Sequence, residues 1–130
     1  MFHSFGSQAE RRAFGGGDFL ELQLCRMPRG TKTAVLVAVE SITNWLDDSL
    51  YVSGDDMDAF WEEYSTILDG GVYNNLETGP MDLCGINYYS PSLTETILER
   101  LLARKPAGHE ELLPWLRKAR EYNGFYLLGV

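Results

Sequence analysis

Phe19-Leu20-Glu21-Leu22-Gln23-Leu24-Cys25-Arg26-Met27-Pro28-Arg29-Gly30-Thr31-Lys32-Thr33-Ala34-Val35-Leu36-Val37-Ala38-Val39 is the stretch whose reading decides the fold class. In its first part Leu20, Leu22 and Leu24 alternate with Glu21, Gln23 and Cys25, the period-two pattern of a strand with one buried face. Pro28 to Thr31 supplies a turn. Thr33 to Val39 is continuously apolar and rich in β-branched residues, which predicts a second, central strand. Two strands joined by a short turn make a hairpin, so the sheet is expected to be antiparallel or mixed.

Outward from that hairpin, helices and strands interleave. Ile42, Trp45 and Leu46 fall at i, i+3 and i+4 and predict a short helical turn, with Asp47-Asp48 in water beyond it. Tyr51 to Ser53 reads as a short strand. Met57, Phe60, Trp61, Tyr64, Ile67 and Leu68 recur at helical spacing, with Asp55 as the expected N-cap and Gly70 as the stop. Trp61 is expected on the core side, and Asp58, Glu62 and Glu63 outside. Gly71–Pro80 is read as a loop and Leu83–Tyr89 as a strand. Ser90-Pro91 opens a helix, because proline at the first helical position needs no amide donor. A further helix runs from about Glu110 or Pro114 to Tyr122, and Phe125–Leu128 closes as a strand. Residues 1–17, ending in three glycines, are expected to form a flexible tail. Residues 18–130 are expected to form a single α+β domain with about three helices on the sheet. Its predicted core includes Leu22, Leu24, Val35, Val37, Phe60, Tyr64, Leu98, Leu101 and Trp115.

The totals bound the function. A chain of 130 residues holds one sizeable core, and 45% hydrophobic content excludes general disorder. A net charge of −8 argues against nucleic acid or an anionic membrane as partner. No run of about 18 apolar residues predicts a transmembrane helix, and the first residues lack a signal-like pattern. Cys25 and Cys84 are expected as reduced, buried thiols. These features together predict a cytoplasmic protein.

Catalytic motifs are missing. Nucleophilic catalysis by Cys or Ser needs a base, usually histidine, and the two histidines, His3 and His109, sit in no recognisable motif. His109-Glu110-Glu111-Leu112-Leu113 lacks the second histidine of a zinc-protease helix. Gly15-Gly16-Gly17 lacks the Lys-Ser/Thr of a phosphate loop. Asp55, Asp58 and Glu62 would share a helix face and offer oxygen ligands to a hard cation. The run lacks the glycine and distal glutamate of a calcium loop, however, and acids in a first turn are favoured by the helix dipole alone. The expectation is no catalytic residue, no metal ligand and no cofactor.

Charge distribution carries the functional signal. Between Lys32 and Arg100 stand 13 Asp and Glu residues and no Lys, Arg or His, together with half of the 16 aromatics. Such a block points to a surface that meets a basic partner. Its expected contact residues are Asp47, Asp48, Asp55, Asp58, Glu62 and Glu63, with Trp45 and Tyr51 as aromatic anchors beside the first doublet. The chain closes on Leu113-Pro114-Trp115-Leu116-Arg117-Lys118-Ala119-Arg120-Glu121-Tyr122-Asn123-Gly124-Phe125-Tyr126-Leu127-Leu128-Gly129-Val130, a helix followed by a strand. In size, acidity and this ending it resembles bacterial immunity proteins, the small inhibitors encoded beside polymorphic, contact-dependent or type VI-secreted toxins. The resemblance implies one-to-one binding to a cognate toxin with a basic surface, often a nuclease. Two other classes remain open at this point: a small metal-dependent or hydrolytic enzyme using the acidic helix, and an adaptor or chaperone for a basic partner.

Overall fold

The computed structural model describes residues 1–15, 17–43 and 45–129. A seven-stranded antiparallel sheet organises them in the order β1-β3-β2-β7-β6-β4-β5. Its strands are β1 (Phe2–His3), β2 (Phe19–Leu24), β3 (Leu50–Ser53), β4 (Gly71–Tyr73), β5 (Thr78–Gly79), β6 (Ile86–Tyr89) and β7 (Phe125–Leu128). Five α-helices accompany it among the described residues: α1 (Gln8–Phe14), α2 (Thr33–Leu36), α3 (Met57–Tyr64), α4 (Pro91–Arg104) and α5 (His109–Glu121). The α+β class and the antiparallel sheet agree with the sequence reading, while sheet and helix count are both larger.

One face of the sheet holds the main core. Leu20, Leu22 and Leu24 of β2, Val52 of β3 and Leu127 of β7 pack against Phe60 and Tyr64 of α3, Ile97, Leu98 and Leu101 of α4, and Leu112, Trp115 and Leu116 of α5. Helix α4 begins as its sequence dictates, with Ser90 Oγ accepting from the Leu93 amide and Pro91 first in the helix. Tyr89 and Phe125, register partners on β6 and β7, stack with ring centroids 4.7 Å apart.

The opposite face is also covered, which the alternation of β2 does not announce. Cys25, Leu36, Val37, Tyr88 and Tyr126 form a second cluster there, and Glu21 and Gln23 are buried with them on that side. The predicted strand from Thr33 to Val39 is instead α2, followed by a 3-10 turn over Val39–Ser41. The physical reason lies in the sheet: β2 pairs with β3 along one edge and with β7 along the other, so no edge is left for a hairpin partner. Leu36 and Val37 go inward, whereas Val35, expected in the core, is 44% exposed.

The N-terminal segment is also not the expected tail. Phe2 and His3 extend the sheet beside Val52 and Tyr51 of β3. The Phe2 ring meets Tyr64 edge-on at 5.4 Å and Phe60 at 6.0 Å. Phe5 is buried against Tyr51, Phe19 and Phe14, with centroid separations of 5.4, 5.7 and 5.6 Å. Ser7 caps α1 by accepting from the Glu10 amide. Aromatic burial thus anchors residues whose spacing shows no period. Further along, the segment read as a loop contains the β4–β5 hairpin, and the expected helical turn after Ile42 is absent from the described residues. Helix α3 stops at Tyr64, and Ser53, not Asp55, provides the cap, accepting from the Asp55 amide into a 3-10 turn that leads into α3.

Candidate partner-binding surface

The acidic residues singled out in the sequence divide into two groups. Asp55, Asp58, Glu62 and Glu63 are exposed on α3 and the turn leading into it. None of the four makes an ion pair among the described residues. Asp47 and Asp48 form a turn at the other end of β3. Four strand residues separate the groups, at least about 10 Å at the rise of an extended chain. They are therefore two patches.

The second patch is largely committed to the chain itself. Asp48 pairs with the Arg26 guanidinium and lies 3.9 Å from Lys118 Nζ. Its carbonyl accepts from the Trp115 indole N–H at 2.9 Å. Only Asp47 of this doublet stands in water.

Of the two expected aromatic anchors, Tyr51 lacks the placement that role needs, whereas Trp45 is partly exposed. Tyr51 has no exposed surface. Its hydroxyl donates to the Leu46 carbonyl at 2.7 Å, and burial, followed by the Glu21 charge, raises its pKa well above the usual tyrosine range. The side chain of Tyr51 is thus a core element and offers a partner nothing to touch, which corrects the sequence reading. Trp45 is half-buried, has a left-handed backbone with φ of 61°, and keeps its indole nitrogen buried without an acceptor.

Trp61 reverses expectation in the other direction. Successive helical residues are rotated by about 100°, so with Phe60 and Tyr64 turned fully inward Trp61 falls off the buried stripe. It is 44% exposed, three residues after Asp58 and next to Glu62. Helix α3 presents an indole among unpaired carboxylates.

Sequence reasoning missed Glu21 and Gln23. Glu21, 7% exposed, accepts at Oε2 from Ser49 Oγ (2.7 Å), Gln23 Nε2 (3.1 Å) and the Leu46 amide (3.2 Å), and at Oε1 from the Trp45 amide (3.3 Å). Gln23 Nε2 also donates to the Thr43 carbonyl at 2.5 Å. The pair fastens the segment after Ile42 to the sheet. A polar residue at alternate strand positions reads the same whether water or another segment covers it, so the sequence holds no signal for this role. Beside Glu21, a cleft of about 260 Å³ is lined by Gln8, Arg11, Phe19, Trp45 and Leu128.

The remaining chemistry is spare. His109 Nδ1 lies 3.0 Å from the Pro106 carbonyl, and His3 Nε2 lies 3.9 Å from Asp56. Cys25 is buried with its Sγ 3.6 Å from the Tyr126 hydroxyl, whereas Cys84, expected to be buried, is exposed. No group of three or more His, Cys, Asp or Glu among the described residues is placed to hold a metal ion. No described helix is long and apolar enough to cross a membrane. Compared with known proteins, the chain matches no family model, no curated protein and no solved structure.

Proposed function

We propose that this chain is an immunity protein, an inhibitor that binds a cognate bacterial toxin through the acidic surface of α3 and acts in the cytoplasm. The observation that carries the reading is the set Asp55, Asp58, Glu62 and Glu63: four exposed carboxylates without an ion pair among the described residues, on the same helix and leading turn as the half-exposed Trp61. A nuclease-type toxin must attract phosphates, so its cleft is positive, and an acidic helix can occupy that field while excluding substrate. Complementary charge accelerates encounter, and a desolvated aromatic supplies binding energy that surface carboxylates alone do not. In this reading the chain performs no catalysis and needs no cofactor, metal, nucleic acid or membrane. The test is co-expression with the product of the neighbouring gene. A tight, salt-sensitive one-to-one complex that abolishes the neighbour's toxicity supports the reading, and continued toxicity with no complex refutes it.

A further inference from the structure

We infer that Trp61 is the anchor of the α3 surface and that the partner group it receives is an arginine side chain. The inference rests on the reading of α3 as the contact surface and names what that surface selects. A large indole left 44% exposed has apolar area that a partner can desolvate, while Asp58 three residues before it and Glu62 beside it form no ion pair among the described residues, so a partner must cover the ring without bringing negative charge to them. An anionic membrane would cover the indole but be repelled by the carboxylates. Nucleic acid would be repelled as well. A basic protein surface satisfies both requirements. Among basic side chains, guanidinium is planar and weakly hydrated, so it stacks on an indole while its N–H fork bonds a carboxylate. Lysine offers a compact, strongly hydrated ammonium that neutralises Asp58 without covering the ring. Helix α3 already has its inner residues, Phe60 and Tyr64, fully engaged in the core, so contact at Trp61 requires no rearrangement of the fold.

The experiment titrates the full-length chain with two short peptides of equal length and charge, one of alternating arginine and serine and the other of alternating lysine and serine. Binding is read by calorimetry and by indole fluorescence at physiological salt. The arginine peptide is expected to bind roughly two- to fivefold more tightly. In Trp61→Ala that advantage disappears, and in Trp61→Phe part of it remains, with circular dichroism showing both variants folded. Asp58→Asn with Glu62→Gln weakens both peptides together. Equal affinities for the two peptides, or an arginine advantage that survives Trp61→Ala, overturns the inference. The peptides involve no toxin, so the outcomes separate: an arginine advantage without any toxin complex leaves the anchor standing and removes the inhibitor reading. A toxin complex that depends on Asp58 and Glu62 without an arginine advantage does the reverse.

Discussion

Glu21 and Tyr51 are register partners on β2 and β3, and on the same sheet face both hold the backbone of Leu46. The buried carboxylate accepts the Leu46 amide and the phenol donates to the Leu46 carbonyl, so one cross-strand pair fixes the segment that carries Asp47 and Asp48. The acidic doublet is therefore positioned from beneath, by two buried residues.

Removing that carboxylate leaves buried donors without an acceptor. Glu21→Ala strips the acceptor from Ser49 Oγ and from the Trp45 amide, while the Leu46 amide keeps the Tyr51 hydroxyl, and unsatisfied buried groups cost about 1–3 kcal/mol each before relaxation. Urea unfolding should show a loss of about 3 kcal/mol. Glu21→Gln retains an acceptor oxygen and should lose less. Equal stability of the alanine variant and the parent would mean that the network contributes nothing.

Gly124 occupies a position that no other residue fits. Its φ is +76°, and a Cβ placed there would lie 1.9 Å from the Tyr89 carbonyl oxygen. Gly124 directly precedes Phe125, the register partner of Tyr89, and its carbonyl accepts from the Cys25 amide on the other side, beside β2. Gly124→Ala should lower stability by more than the ~1 kcal/mol typical of a left-handed site alone, as read by the thermal midpoint. A change within error would show that the β6–β7 end of the sheet yields easily.

Alkaline pH should unfold the protein through its tyrosines. Burial, the leading cause in each case, raises Tyr51, Tyr64, Tyr88, Tyr89 and Tyr126 above their ordinary value of 10.0. The unfolded chain then releases these protons at lower pH than the folded one. Their contribution to stability is complete below pH 10.0 and is lost as pH rises from there towards the folded values. Denaturation midpoints measured from neutral to strongly alkaline pH should stay level with respect to these groups and then fall steeply. Tyrosinate absorbance from more than two of the seven tyrosines before any loss of structure would contradict the assignment.

The first residues should behave as part of the sheet. Deleting residues 1–6 removes β1 and exposes the edges of Phe60 and Tyr64 that Phe2 covers. Full burial of one large aromatic is worth roughly 1.5–3 kcal/mol, so the truncated chain should unfold at visibly lower denaturant concentration. An unaltered midpoint would restore the picture of a loose tail.

What the sequence made legible followed from local period. The alternation of Leu20, Leu22 and Leu24 located β2, the Ser90-Pro91 pair and the leucine stripe located α4, and the closing helix and strand came out as α5 and β7. What it concealed was decided by distant partners. Thr33–Val39 has strand composition but no sheet edge to join, and an apolar run without period is compatible with a helix turn packed through Leu36 and Val37 alone. Phe2 and Phe5 find their aromatic partners far along the chain. Trp61 fits the inward stripe on spacing, but α3 buries a narrow face whose inner positions Phe60 and Tyr64 already fill. Of the candidate contact residues, the exposure of Asp55, Asp58, Glu62 and Glu63 was readable from helical spacing. The burial of Tyr51 was not, because a strand of four residues shows too little alternation to reveal that both its faces are covered.

The measurement that bears most directly on the central claim is the binding kinetics of the Asp58→Lys, Glu62→Lys double variant against the cognate basic partner, at low and at physiological salt. Both side chains are exposed and make no ion pair among the described residues, so the variant should keep the parent's circular dichroism and lose only the small helix-dipole contribution of Asp58, about 0.3–1 kcal/mol, from its stability. Charge reversal replaces attraction with repulsion, and association at low salt should slow by at least about tenfold, the deficit shrinking as salt screens it. A folded double variant that associates as fast and binds as tightly as the parent would contradict the claim that α3 is the contact surface.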